Sequence, residues 1–145
     1  MKKSLLCLLA AVGVTAAASA ANAGEKPQMY NHLPEKARIF IGEYFGNSDV
    51  EAVKKERYPI EYEVVFIDGS KAEFDADGDW LEVDCRNKSV PASIVPVKIR
   101  QYVTDKYPAH DIVGVSRDRR GYDVELSNGY ELGFDRQFRL VEFDD

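Results

Sequence analysis

The densest cluster of residues able to do chemistry is Asp75-Ala76-Asp77-Gly78-Asp79, which carries carboxylates at alternate positions. Carboxylate oxygens are the ligands that Ca²⁺ prefers. An EF-hand loop needs Gly at its sixth position and Glu at its twelfth, but counting from Asp75 these positions hold Trp80 and Arg86. Because Asp and Gly also favour tight turns, two interpretations remain: a hairpin turn, or a weak cation site formed by Asp75, Asp77 and Asp79.

A second set of acidic residues recurs at every other position of segments that alternate like strands. If Val64, Phe74 and Val83 face a core, the alternate positions face away from it. The predicted outward set is Glu63, Glu73, Trp80, Glu82, Asp84, Asp123, Glu125, Glu131, Glu142 and Asp144. Such a face is either ordinary solvated surface or an acidic platform for a cationic protein or peptide of the cell envelope, with Trp80 as its aromatic anchor.

No recognisable set of catalytic residues accompanies these acidic positions. His32 and His110 are the two histidines, and both are distant in sequence from Cys85. No Ser lies in a nucleophile turn, and the chain has neither paired metal-binding His or Cys nor a Gly-rich phosphate loop. We therefore expect a non-enzymatic protein without a cofactor.

The composition predicts one acidic, water-soluble domain. The chain has 145 residues, of which 30% are charged and 45% hydrophobic, and its formal net charge is −6. A core of useful size can form from this composition. Nucleic acid is an unfavourable partner, because its binding depends on neutralising phosphates with Lys and Arg.

The first residues have the three-part pattern of an export signal. Met1-Lys2-Lys3 is basic, an apolar run extends from Leu5 to about Ala18, and Ala21-Asn22-Ala23 suits a signal peptidase. Cleavage after residue 23 leaves one domain, 24–145, with a single cysteine and no membrane insertion. We expect the protein in the periplasm or outside the cell.

An internal repeat organises the rest of the chain. Residues 33–53 align with 95–115, and residues 62–84 align with 122–144. The alignment predicts a first repeat at about 30–86, a crossover at 87–92 and a second repeat at about 93–145.

Each repeat begins with a predicted helix and continues with four predicted strands. Apolar residues have helical spacing from Ala37 to Phe45 and again from Ile99 to Tyr107. Period-two alternation follows, with Asp68-Gly69 and Asn128-Gly129 as expected type I′ turns. Near the ends of the repeats, the residues expected to face the core are Leu81, Val83, Val141 and Phe143. The predicted fold is α+β: tandem α-β4 repeats form one eight-stranded antiparallel sheet with both helices on one face.

These motifs resemble the PepSY-like family of small exported bacterial proteins, which are described as similar to the β-lactamase-inhibitory protein. The resemblance rests on Leu33-Pro34, Phe74-Asp75, Val95-Pro96 and the segment from Tyr122 to Gly129. It implies tandem α-β4 units and an open sheet face that binds a partner protein, as in an inhibitor-like module. Disulfides brace the β-lactamase-inhibitory protein, whereas Cys85 stands alone here, so β-lactamase inhibition is not carried over. The alternative function is binding of a small ligand or a cation such as calcium.

Overall fold

The computed structural model describes residues 26–46 and 49–145. The predicted export signal, residues 1–23, lies outside the described residues. After a 3-10 helix at Gln28–His32, the first half contains α1 (Glu35–Tyr44), β1 (Val50–Arg57), β2 (Ile60–Phe66), β3 (Lys71–Asp75) and β4 (Trp80–Asp84). After a 3-10 helix at Ala92–Ile94, the second half contains α2 (Val97–Lys106), β5 (Ile112–Arg117), β6 (Gly121–Leu126), β7 (Glu131–Asp135) and β8 (Leu140–Asp144).

The strands form one antiparallel sheet in the order β1-β2-β3-β4-β5-β6-β7-β8. This architecture confirms the predicted α+β fold with an eight-stranded sheet and two helices. Strands β4 and β5 join the two halves through the pairs Glu82↔Ser116, Val83↔Val115 and Asp84↔Gly114. No helix in the described part of the chain is long and apolar enough to cross a membrane.

Both helices cover the same face of the sheet. One row of buried strand residues crosses its centre and comprises Val53, Val64, Ala72, Val83, Val115, Val124 and Leu132. From α1, Phe40 packs edge-on against Phe74, with ring centroids 5.4 Å apart. From α2, Tyr102 packs in the same way against Phe134 at 5.5 Å. The helical stripes predicted from sequence are therefore core contacts.

The hairpin turns differ from the predicted type I′ geometry. Type I′ needs positive φ at both central residues, yet Gly69 and Gly129 have φ of +86° and +88° while Asp68 and Asn128 are not among the positive-φ residues. The amide of Gly69 donates to the carbonyl of Phe66 at 2.9 Å. Each loop is thus a three-residue turn whose third residue is left-handed. The Asp68 carboxylate accepts a bond from the Ser70 amide instead.

Candidate functional site

Two neighbouring rows of side chains on the sheet face opposite the helices form what we call the acidic face. Cross-strand pairing aligns the first row as Lys54, Glu63, Glu73, Glu82, Ser116, Asp123, Gly133 and Glu142. The second row is Ala52, Val65, Lys71, Asp84, Gly114, Glu125, Glu131 and Asp144. Every carboxylate predicted to face outward lies in one of these rows.

Trp80 is an exception, and the prediction that it faces outward is wrong. Strand β3 pairs with β4 as Glu73↔Glu82 and then as Phe74↔Trp80, with a register shift between the two pairs. The extra residue in β4 forms a β-bulge, so the indole lies on the helix-covered side. Its ring centroid is 6.4 Å from that of Phe40. Trp80 therefore cannot anchor a partner on the acidic face.

The same bulge moves Leu81 to the opposite side from the one predicted. Leu81 was expected in the core, but it lines the acidic face beside Glu73 and Glu82. Strand β8 repeats the pattern: Phe134 pairs with Leu140 after a register shift, and Val141 lines the acidic face. Simple alternation fails at these two strands because each bulge adds one residue to the count.

The acidic face is concave and encloses a groove of about 440 Å³. Glycine contributes to this shape at Gly133, where an added Cβ would lie 3.0 Å from both the Asp123 carboxylate and the Glu142 Cβ. Sequence reasoning missed the glycine and bulge positions. A glycine inside a strand is the signal that could have revealed a close approach there.

Burial and mutual repulsion raise the pKa of four carboxylates of the acidic face. Glu82 lies at the centre of the first row, and burial, followed by the charges of Glu73, Asp84 and Glu125, raises its pKa to about 7. Burial also raises the pKa of Glu73 and Glu125. The pKa of Glu131 rises too, through burial and then the charge of Glu125. Perturbed carboxylates grouped in a concave surface are typical of functional sites.

Carboxylates outnumber the positive charges on this face: Lys54 and Lys71 lie in the two rows, and Arg117 and Arg120 line the groove. The Lys54 ammonium binds the buried Glu63 carboxylate at 3.1 Å. Within the described residues, Glu73, Glu82, Glu125 and Glu131 make no ion pair at 4.0 Å or less. These four glutamates thus have no ion-pair partner among the described residues.

The Asp75–Asp79 segment is a hairpin turn. The Asp75 carboxylate accepts bonds from the amides of Asp77 and Asp79, both at 2.9 Å. The corresponding Asp135 binds the amides two and four residues later at 2.9 and 3.0 Å, although those residues are Gln137 and Arg139.

The carboxylates of Asp77 and Asp79 do not point to a common site with that of Asp75. Asp79 forms an ion pair with Lys36 at 2.9 Å, and Asp77 is exposed. Across residues 26–46 and 49–145, the structure contains no group of three or more His, Cys, Asp or Glu placed to hold a metal ion. The geometry therefore favours the turn interpretation of Asp75, Asp77 and Asp79.

The side chain of Cys85 is buried in the core. It is 5% exposed, and burial raises the pKa of its thiol to about 11. A thiol with that pKa is almost wholly protonated at neutral pH and is a poor nucleophile. Cys85 thus belongs to the core.

The family described as "Putative beta-lactamase-inhibitor-like, PepSY-like" matches residues 60–142, which is more than half of the chain. The chain belongs to the PepSY-like family. No curated protein matches it.

Solved structures of similar proteins support this assignment to the PepSY-like family. A "putative calcium-regulated periplasmic protein" from Bacteroides thetaiotaomicron is 40% identical, with a TM-score of 0.74 over 83% of this chain and 96% of that chain. Two "putative periplasmic" proteins from Bacteroides vulgatus are similar as well. One is 36% identical with a TM-score of 0.75, covering 83% of this chain and 96% of that chain. The other is 35% identical with a TM-score of 0.73, covering 82% and 97%.

Proposed function

We propose that this PepSY-like protein is a non-enzymatic, exported, inhibitor-like binding module whose acidic face binds a cationic protein or peptide. The observation that carries the proposal is the half-buried Glu82 carboxylate, which lies among other carboxylates without an ion-pair partner. Its pKa of about 7 means that a nearby positive charge would relieve an existing electrostatic cost. Lys or Arg side chains of a partner supply such a charge.

The spacing of the rows suits a basic segment. Neighbouring strands place the carboxylates of one row about 5 Å apart, and the two rows differ by two residues along each strand. A guanidinium or ammonium group can therefore contact two carboxylates at once. Leu81 and Val141 add apolar contact area in the same groove. These features favour a partner that is both cationic and partly apolar.

The cellular location agrees with a partner in the cell envelope. The similar solved proteins are described as periplasmic, and the first 23 residues of this chain have the pattern of an export signal. We place the protein in the exported class on these two grounds.

The proposal can be tested by titrating the exported chain with an octalysine peptide and following the amide signals by NMR. We expect saturable shifts confined to residues of the two rows. Binding should weaken by about tenfold or more between about 20 and 300 mM NaCl, because salt screens charge pairs. Shifts spread evenly over both faces would contradict the proposal.

A matched pair of variants separates the acidic face from overall charge. The combined change Glu73→Gln, Glu82→Gln and Glu125→Gln removes three charges from the face, whereas Glu35→Gln, Glu43→Gln and Asp105→Asn removes three from the helices on the other side of the sheet. We expect the first set to weaken octalysine binding by about tenfold or more and the second to change it little. Equal losses would mean that net charge alone attracts the peptide.

The alternative function is binding of calcium or another small ligand. It is favoured by one relative, which is 40% identical and is described as calcium-regulated. Titration with CaCl2, with MgCl2 as the control, separates the two functions. A calcium-specific, saturable shift that competes with octalysine would favour the cation function at the acidic face. A shift abolished by combining Asp75→Asn, Asp77→Asn and Asp79→Asn would place the cation at the turn.

A further inference from the structure

A second groove lies on the helix-covered side, above the junction of β4 and β5, and we call it the seam groove. Its volume is about 390 Å³, which is within the range of sites for small molecules. Its lining includes Phe40 and Tyr44 of α1, Ile94 of the second 3-10 helix, and Trp80 and Tyr122 of the sheet. The groove therefore offers several aromatic surfaces to a flat apolar ligand.

One cation in the seam groove is held in place by the protein. The guanidinium carbon of Arg117 lies 4.0 Å from the centroid of the Trp80 ring, and its Nε donates a hydrogen bond to the Trp80 carbonyl at 2.8 Å. Within the described part of the chain, no carboxylate lies at ion-pair distance from Arg117. Its two terminal nitrogens are thus available as a fork for a planar anion.

The other charges at this groove leave Arg117 as the favoured anchor. Lys36 already binds the Asp79 carboxylate at 2.9 Å. Glu43 also lines the groove and opposes an anionic ligand, so its removal should strengthen binding. The Glu43→Gln variant therefore gives a second, independent test of whether the groove binds an anion.

The fold does not require this pairing of Trp with Arg. Phe74 pairs with Trp80 in the first half, and Phe134 pairs with Leu140 at the corresponding place in the second half. Leu140 occupies its position while 38% exposed, so an indole is not needed to complete this strand. The Trp80–Arg117 pair of the seam groove is therefore not needed to build the sheet.

We propose that the seam groove binds a small organic carboxylate with a planar apolar body. The carboxylate receives two hydrogen bonds from Arg117, and the planar body packs against Phe40, Tyr44 and Trp80. The seam groove opens on the helix-covered side of the sheet, although Arg117 and Tyr122 also line the groove of the acidic face. The proposal rests on Arg117 and the aromatic side chains rather than on the carboxylates of the acidic face, so it is tested separately from the function proposed above.

The test uses the indole N–H signal of Trp80, the single Trp of the chain, in ¹⁵N-labelled exported protein. Cinnamate is the probe, cinnamamide is its uncharged counterpart, and hexanoate is a carboxylate without a ring. We expect cinnamate to shift the Trp80 signal saturably at millimolar or lower concentration, and both controls to bind at least about tenfold more weakly.

Variants assign the contact to individual residues. Arg117→Gln should weaken cinnamate binding by about tenfold, Arg117→Lys by less, and Glu43→Gln should strengthen it. Arg119→Gln is the matched control and should have no effect. The amide spectrum of each variant shows whether it is folded, and the Arg117→Lys and Glu43→Gln comparison still tests the proposal if Arg117→Gln unfolds.

Several results would overturn the proposal. Equal binding of cinnamamide would exclude a role for the carboxylate, and tighter binding of hexanoate would exclude the planar body. Equal loss in Arg117→Gln and Arg119→Gln would indicate unspecific attraction of an anion. No saturable shift of the Trp80 signal would exclude the site.

Discussion

The two faces of this sheet are built from alternate residues of the same strands, yet they obey different physical constraints. On the helix-covered face, Val64, Phe74 and Leu132 are almost completely buried, and their packing stabilises the fold. On the acidic face, Glu73 and Glu82 are half-buried, and burial, followed by repulsion from neighbouring carboxylates, raises their pKa. The first face therefore stabilises the fold by burial, whereas the second carries charges that oppose folding.

The strongest test of this contrast uses two neighbouring residues of β3. Phe74 is fully buried and contacts Phe40, so Phe74→Ala should lower the free energy of unfolding by about 3–5 kcal/mol. Glu73→Ala, one residue away on the other face, should be neutral or slightly stabilising, because it removes a repelling charge. Urea denaturation measures both changes. A large loss for Glu73→Ala would remove the distinction between the faces.

The next largest change in the free energy of unfolding is expected when Trp80 is replaced. Because its ring packs against Phe40 and Arg117, Trp80→Ala should lower the free energy of unfolding by about 2 kcal/mol. Leu140→Ala, at the matching position of the second half, should cost less since Leu140 is partly exposed. Thermal denaturation of both variants tests this order. If Trp80→Ala loses no stability, the indole does not pack on the helix-covered side.

The sequence predicted the architecture better than the details of the site. Helical spacing around Phe40 and Tyr102, together with strand alternation, is enough to specify two helices on one sheet, because burial enforces these periods. The carboxylate rows followed from the same alternation. The positions of Trp80 and Leu81 could not be predicted, because a β-bulge has no reliable sequence signal and moves one residue to the other face.

Stability should also depend on pH through the acidic face. The pKa of Glu82 is about 7 in the folded protein, against an ordinary value of 4.5. The folded state then binds more protons than the unfolded state between these values, so stability falls as pH rises through that range. We expect a higher melting temperature at about pH 5 than at about pH 8, and a weaker dependence in Glu82→Gln. A melting temperature that rises with pH over this range would contradict the account.

The smallest expected effect concerns the acidic turn, which contrasts with the acidic face. Asp77 is exposed, and only its amide is used in the turn, as a donor to Asp75. Asp77→Asn should therefore change the free energy of unfolding by less than about 0.5 kcal/mol, with or without CaCl2. Calorimetric melting in both conditions measures this. A calcium-dependent rise in melting temperature that disappears in Asp77→Asn would instead support a cation site at the turn.

The most direct test of the function proposed for the acidic face is to measure the pKa of Glu82. The ¹³C signal of its carboxyl carbon reports this pKa with and without octalysine. We expect a pKa of about 7 in the free protein. Saturating peptide should lower this pKa, because a bound cation favours the ionised form. An ordinary pKa in the free protein would contradict the proposed binding of a cationic partner at Glu82. A raised pKa that does not change when octalysine saturates the protein would contradict it as well.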